Sequence, residues 1–175
     1  METQTVKPPS QTSPNSSKSM FKRILVALDG SENSARASRA AVELAEKLKA
    51  ELIVLHAITP PALYYHTEIS SEGPVIEPPT HEKEIDEYLE YARRVGTGIV
   101  NSTMSQAKER GVVVKADLSE ATSSVVEAIV SHAVKENADL IIVGTRGLGG
   151  FKKLLLGSVS SGVVDHAHCP VLVIR

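Results

Sequence analysis

The chain has few of the features that mark secreted, zinc-stabilised or membrane proteins. It has a single cysteine, Cys169, and no tryptophan. One cysteine cannot form an internal disulfide or a paired zinc site, which favours a reducing compartment, and we expect the cytoplasm. The apolar runs are as short as strands, so no membrane span is expected. No apolar stretch follows the first charged residues, so no secretory signal is predicted.

The chain also lacks an excess of charge of either sign. Nineteen basic residues stand against 21 acidic ones, which gives a formal net charge of −2. A protein that binds nucleic acid usually carries a basic patch or run, and none is found here. We therefore expect neither nucleic acid nor a membrane as a partner. The 175 residues, 42% apolar and 23% charged, suit one globular domain.

Two segments have little apolar content or no periodicity. Residues 1–19 are rich in Ser, Thr, Pro and Gln, and such a segment cannot bury enough surface to offset the entropy of ordering. We predict a disordered tail there and one domain over 20–175. Within that domain, residues 59–80 are rich in proline and are predicted to form a long variable loop.

Short apolar runs alternate with segments of helical periodicity. A strand buried on both faces reads as a continuous apolar run, and a helix between two such strands makes them parallel. The pattern predicts an α/β doubly wound, flavodoxin-like (Rossmann-like) domain with a five-stranded parallel sheet. The predicted strands are 24–28, 52–57, 112–116, 139–143 and 171–174. The first predicted helix begins after Ser31 and extends to Leu48, and the three others cover 81–110, 124–136 and 158–167.

A glycine-rich loop connects the fourth strand to the last helix. Gly144, Gly147, Gly157 and Ser158 lie in it. Glycine permits positive φ and lets backbone amides approach an anion, and the helix N-terminus adds unpaired N–H groups. The loop therefore predicts a phosphate site. A P-loop is excluded because no lysine precedes Ser158, and a dinucleotide fingerprint is excluded because Gly30 stands alone after the first strand.

With its spacing of Gly, two residues, Gly, nine residues, Gly and Ser, the loop resembles the nucleotide-binding branch of the universal stress protein family. The opening run Ile24-Leu-Val-Ala-Leu-Asp-Gly-Ser31 and the closing Pro170-Val-Leu-Val-Ile174 resemble that family as well. The resemblance covers Phe21 to Arg175. It implies the strand order 3-2-1-4-5, a role in stress responses, and homodimers, for which the C-terminal strand 171–174 is the expected contact.

The resemblance also implies a ligand and its contacts. The ligand would be ATP, or AMP or ADP, with Mg²⁺. Asp29 matches an acid near the ribose or a phosphate-bound metal, so it is the candidate magnesium ligand. The residues expected at the adenine are Ala27, Leu28, Ala57 and Val143, and those expected at the ribose and phosphates are Gly144, Gly147, Gly157, Ser158 and Val159. Thr145 and Arg146 of the same loop are further candidate contacts; Arg146 is not fixed by the motif but could reach phosphate through its charge. Lys152 and Lys153 could also reach phosphate through their charge.

Several residues admit a plainer interpretation. Asp29 could simply cap the first helix. His166, His168 and Cys169 have metal-ligand side chains, although histidines also suit a helix C-terminus. His56, within an apolar strand, is interpreted as a hydrogen-bonded core residue. No catalytic set is predicted, so the function expected is nucleotide-dependent regulation or interaction; a slow ATPase or nucleotide hydrolase and a nucleotide-free interaction module remain as alternatives.

Overall fold

The computed structural model of the chain describes residues 19–61, 81–148 and 156–175. Strands and helices alternate, as the apolar pattern predicts. In chain order they are β1 (Arg23–Ala27), α1 (Glu32–Leu48), β2 (Glu51–Ile58), α2 (Glu82–Glu109), β3 (Val114–Glu120), α3 (Val125–Lys135), β4 (Leu140–Gly144), α4 (Ser158–His166) and β5 (Val171–Ile174). The predicted tail (1–19) and long loop (59–80) lie almost wholly outside the described residues, so both stay predictions.

All five strands are parallel and lie in the order β3-β2-β1-β4-β5, which confirms the predicted fold class and strand order. Leu25 in the central strand pairs with Ile53 of β2 on one side and Ile141 of β4 on the other. The chain leaves β1 towards one half of the sheet and leaves β4 towards the other half. A crevice therefore opens between the carboxyl ends of these two strands, where ligands bind in folds of this type.

Helices cover both faces of the sheet. On one face α1 and α2 pack over alternate residues of the strands, including Ile24, Val26 and Val54, and Ala37, Ala41 and Ala45 let α1 lie close to the sheet. On the other face α3 and α4 pack over the remaining strand residues, and the buried members of that cluster are Leu25, Ile53, Leu55, Ile129, Ala133, Ala138, Ile141, Val143 and Val163. Burial of both faces explains why the strands read as continuous apolar runs.

Strand β3 differs most from its predicted position. The apolar run 112–116 predicted the strand, but the structure forms it over Val114–Glu120. Pairing with β2 decides this, because the ladder continues from Leu52 opposite Val114 to Ile58 opposite Glu120. The strand lies at the edge of the sheet and its carboxyl half is polar, so an apolar pattern could not find its end.

Helix α2 continues through Gly96 and Gly98 without a break, although glycines weaken helices. Gly96 is buried, whereas Gly98 is exposed with open space where a side chain would lie. Across the three described parts of the chain, no helix combines the length and the apolar character that crossing a membrane requires.

Candidate functional site

The sequence-predicted site residues meet at the carboxyl edge of the sheet. Ala27 ends β1, Ala57 lies one residue before the end of β2, and Val143 and Gly144 end β4. Because parallel strands run in one direction, these ends lie at the same edge. The loop after β1 brings Asp29 to the crevice, where its carboxylate contacts the segment that follows β4. Tertiary structure thus brings together segments more than a hundred residues apart.

Asp29 connects the two sides of this crevice. Its Oδ1 accepts a hydrogen bond from the backbone N–H of Ser31 at 2.9 Å, and its Oδ2 accepts one from the N–H of Leu148 at 3.2 Å. The plainer interpretation of Asp29 as the cap of α1 is wrong. Ser31 is the N-cap, because its side chain accepts the N–H of Ser34 at 3.1 Å. Asp29 is therefore available to position the loop after β4.

The first turn of α1 holds the same loop through side chains that the sequence did not single out. Asn33 Nδ2 donates to the carbonyl of Arg146 at 3.2 Å, and Ser31 Oγ donates to that carbonyl at 3.4 Å. The helix also packs on Gly144, where a Cβ would lie 2.9 Å from the carbonyl carbon of Asn33. Small polar residues directly after Asp29-Gly30 were the only sequence signal for these contacts.

The loop glycines are required for close approach and not for positive φ. None of Gly144, Gly147 and Gly157 has a positive φ, which corrects the expectation that they allow such a conformation. A Cβ on Gly147 would overlap Asp29 Oδ2. At Gly157 the nearest atom to a Cβ is the Cα of Arg146 at 3.4 Å, an ordinary van der Waals contact, and φ is −73°. A side chain at Gly144 would therefore collide with the backbone of Asn33, and one at Gly147 would displace the Asp29 carboxylate.

Helix α4 begins next to this loop and presents its first turn to solvent. Gly157 is the N-cap, and its own N–H donates to the carbonyl of Thr145 at 2.8 Å. The amides that follow, at Ser158, Val159 and Ser160, belong to the first turn, where N–H groups have no partner within the helix. Ser158 and Val159 are exposed, whereas the Ser160 hydroxyl donates to the carbonyl of Gly144 at 2.6 Å. The start of α4 is thereby fixed against the end of β4.

The residues expected at the adenine are apolar and partly or fully buried. Leu28 and Val143 are buried, and Ala27 and Ala57 are half-buried. His56 Nδ1 lies 2.8 Å from the carbonyl oxygen of Leu28, which confirms the interpretation of His56 as a hydrogen-bonded core residue.

Two other groups of candidate residues remain, and the structure describes one of them. Lys152 and Lys153 lie outside the described residues. His166 Nδ1 lies 2.8 Å from the carbonyl oxygen of Gly162, and His168 Nε2 lies 3.1 Å from that of Ala138, while Cys169 packs against the core. In the described part of the chain these three side chains form no metal-ligand cluster.

Comparison with known proteins agrees with this architecture. The model of the universal stress protein family matches residues 20–175. Universal stress protein YxiE of Bacillus subtilis is 38% identical over 156 residues, which cover 89% of this chain and all of that protein. The structure of UspA from Lactobacillus plantarum has a TM-score of 0.73 at 24% identity, covering 89% of this chain and 98% of that one.

A further solved structure, of a universal stress protein in complex with cAMP, has a TM-score of 0.62 and 26% identity, and covers 90% of this chain and 99% of that one. The family match spans the whole domain, and the sequence identity to a full-length relative is high enough to establish kinship. The chain belongs to the universal stress protein family.

Proposed function

We propose that the protein binds an adenine nucleotide, ATP with Mg²⁺ in particular, in the crevice between the carboxyl ends of β1 and β4. The observation that carries this proposal is the contact of Asp29 with the Gly147–Leu148 backbone, which joins the family's glycine loop to the end of β1. A related protein of this fold has been solved with cAMP, an adenine nucleotide, and that supports the class of ligand.

Each part of the nucleotide has suitable chemistry available. Among the apolar residues at the strand ends, the half-buried Ala27 and Ala57 offer surface for adenine, whereas Leu28 and Val143 are buried. The amides of the first turn of α4 have no acceptor within their own helix and lie beside a positive helix end, which suits phosphate oxygens. The Asp29 carboxylate is the acid that would meet ribose hydroxyls or a phosphate-bound Mg²⁺.

The role we propose is regulation and not rapid chemistry. Phosphoryl transfer to water needs a group that orients or deprotonates the attacking water. Among the described residues Asp29 is the acid at the crevice; each of its oxygens accepts one backbone amide, and the remaining lone pairs are those proposed for ribose or Mg²⁺, so no separate base for a water is identified there. We therefore expect ATP to be held for long periods in the cytoplasm, where occupancy changes the interactions of the protein with its partners. Multiple turnovers per second would assign it to the hydrolases instead.

We further propose a homodimer formed through β5. This strand is an edge of the sheet, and its Leu172 is 38% exposed. Val159 and Val164 of the adjoining α4 are also exposed apolar side chains. Unpaired edge strands with apolar side chains are surfaces that proteins commonly cover by pairing. Sedimentation equilibrium of the wild type and of Leu172→Lys tests this: a dimer that becomes monomeric supports the proposal, and a wild-type monomer contradicts it.

The decisive test of the binding proposal is the identification of small molecules that the natively purified protein carries. Mass spectrometry of the supernatant after denaturation should reveal an adenine nucleotide. Calorimetric titration of nucleotide-stripped protein should then show tighter binding of ATP than of adenosine, because adenosine lacks the phosphates that the α4 amides would hold. Equal binding of ATP and GTP would contradict the assignment of an adenine pocket, and no binding of either would overturn the proposal.

A further inference from the structure

Away from the nucleotide crevice, three metal-ligating side chains converge between β3 and α3. We propose that Asp117, His132 and Glu136 form a binding site for a divalent transition-metal ion, with Zn²⁺ as the representative ion. None of these three residues belongs to the family's glycine loop. The site lies at the far edge of the sheet, where β3 is separated from β1 by β2.

Local structure places the three side chains together. In β3 alternate residues share a face, so Lys115 and Asp117 point towards the same side of the sheet. Val114 and Ala116 pack on the opposite side, against the core under α1 and α2. His132 lies in the last turn of α3 and Glu136, four residues later, is its C-cap with helical backbone angles, so the two side chains lie on the same side of the helix end. Strand and helix thus present a carboxylate, an imidazole and a second carboxylate to each other.

The distances suit a metal ion. His132 Nε2 and Asp117 Oδ2 are 3.2 Å apart, and the ligand atoms of all three residues lie within 4.8 Å of one another. Metal–ligand bonds of about 2.0–2.2 Å in a tetrahedral zinc site place neighbouring ligand atoms about 3.3 Å apart. The His–Asp pair already has this spacing. A side-chain adjustment of at most about 1.5 Å would bring the third ligand to the same spacing.

Burial favours a fixed site with one open position. The side chain of His132 is 10% exposed and that of Glu136 is 15% exposed, whereas Asp117 is 40% exposed. Two ligands are therefore held by packing, and water can reach the ion from the side of Asp117. Three protein ligands with a water in the fourth position is the arrangement that zinc adopts in open sites.

The donor set selects the class of metal. Imidazole nitrogen suits Zn²⁺, Ni²⁺, Co²⁺ and Cu²⁺, while Mg²⁺ and Ca²⁺ prefer oxygen ligands alone. One imidazole and two carboxylates therefore favour a transition metal over the Mg²⁺ that would accompany ATP. Separate titrations with Zn²⁺ and Mg²⁺ therefore distinguish this site from the Mg²⁺ proposed to accompany ATP.

Without a metal, Lys115 and Arg23 supply the positive charge at this cluster. The Lys115 ammonium contacts Glu136 Oε2, and Arg23 Nη2 lies 3.5 Å from the same oxygen. Glu136 Oε1 takes no part in either contact. Lys115 is 38% exposed and has a flexible four-carbon stem, so its ammonium can withdraw into water when a metal ion binds. Lys115 is consequently a competitor of the metal, and this competition sets a specific expectation for its removal.

The test is Zn²⁺ titration of the full-length, nucleotide-free protein by calorimetry, together with Co²⁺ absorption spectroscopy. One equivalent of Zn²⁺ should bind to the wild type. Asp117→Asn and His132→Gln should each weaken the affinity by about tenfold or more, because each removes one of three ligands. Lys115→Met should tighten it several-fold by removing the competing ammonium. His166→Gln is the matched control, since this exposed histidine on α4 lies outside the cluster and should leave the affinity unchanged.

A readout on the wild type itself avoids dependence on the folding of the variants. Substoichiometric Co²⁺ should broaden the imidazole resonances of His132 before those of any other histidine. Preferential broadening of another histidine, the absence of stoichiometric Zn²⁺ binding, or a Zn²⁺ affinity equal in wild type and folded His132→Gln would each overturn the proposal. A loss of Zn²⁺ affinity in His166→Gln alone would assign the metal to the C-terminal histidines.

Discussion

Asp29 Oδ2 accepts the backbone N–H of Leu148 at 3.2 Å, across a sequence separation of 119 residues. This hydrogen bond joins the turn after β1 to the loop after β4, the two segments that border the crevice. It can form because Gly147 has no side chain at the point where the carboxylate approaches. The acid and the glycine that the family motif lists separately are therefore one structural unit.

Replacement of Gly147 by alanine should weaken ATP binding by about tenfold or more. The new Cβ would overlap Asp29 Oδ2, and the carboxylate would lose its charge-assisted hydrogen bond to Leu148, a contact of about 1.5–3 kcal/mol. Calorimetric titration of ATP into the nucleotide-free variant measures the loss. Gly98→Ala is the matched control, because it also adds one Cβ, would meet no atom within 4 Å, and lies on α2 outside the proposed nucleotide site. Equal losses in the two variants would contradict the Asp29–Gly147 interpretation.

Asn33→Ala should reduce ATP affinity roughly three- to tenfold while the fold persists. The substitution removes the Nδ2 donor that holds the Arg146 carbonyl, and a neutral hydrogen bond contributes about 0.5–1.5 kcal/mol. The Cβ that packs on Gly144 is retained. Arg36→Ala, on the same helix, removes an exposed i,i+4 ion pair with Glu32 and should leave affinity unchanged. Undiminished ATP binding by Asn33→Ala would mean that the loop holds its conformation without this contact.

The two glycines in the middle of α2 should respond oppositely to alanine. At Gly96 a Cβ would lie 2.5 Å from His56 Cδ2, so Gly96→Ala should lower the free energy of unfolding by about 1–3 kcal/mol. At Gly98 nothing lies within 4 Å, so Gly98→Ala should raise it by about 0.5–1 kcal/mol through helix propensity. Urea denaturation of both variants measures these two changes in the free energy of unfolding. A destabilised Gly98→Ala would contradict the open space beside Gly98. An unaffected Gly96→Ala would contradict the packing of His56 against α2.

The Cys169 thiol should resist alkylation in the native protein. Burial raises the pKa of this thiol, and the Asp139 carboxylate raises it further. Because the thiolate is the reactive form, the rate of reaction with iodoacetamide should rise at higher pH in the native protein than in denaturant. Because the native protein disfavours the Cys169 thiolate, the neutral thiol contributes to the free energy of unfolding. That contribution is full below the pKa of the thiol in the unfolded chain and is lost as the pH rises through its raised pKa in the native protein. If the curves of alkylation rate against pH coincided for the native and the denatured protein, the raised pKa of Cys169 would be refuted.

The regular elements could be predicted because local patterns encode them. Continuous apolar runs predicted the buried strands, and 171–174 matches β5 residue for residue. The start of the predicted helix 124–136 is confirmed, because Ser124 is the N-cap of α3 and its Oγ accepts the N–H of Glu127 at 3.0 Å. The end of β3 was missed because pairing with β2, and not apolar content, extends that strand to Glu120.

The sequence by itself determined which segments become strands and helices, and its glycine spacing pointed to the family and to the loop after β4. The periodicity of apolar side chains and the spacing of glycines are local properties of the chain, so they can be read without knowing what each segment contacts. Tertiary structure alone showed that Gly147 faces the Asp29 carboxylate, that Ser31 and not Asp29 caps α1, and that Asn33 holds the loop after β4. It also brought Asp117 to His132 and Glu136. Each of these depends on distances between segments remote in sequence, which packing of the helices on the sheet sets.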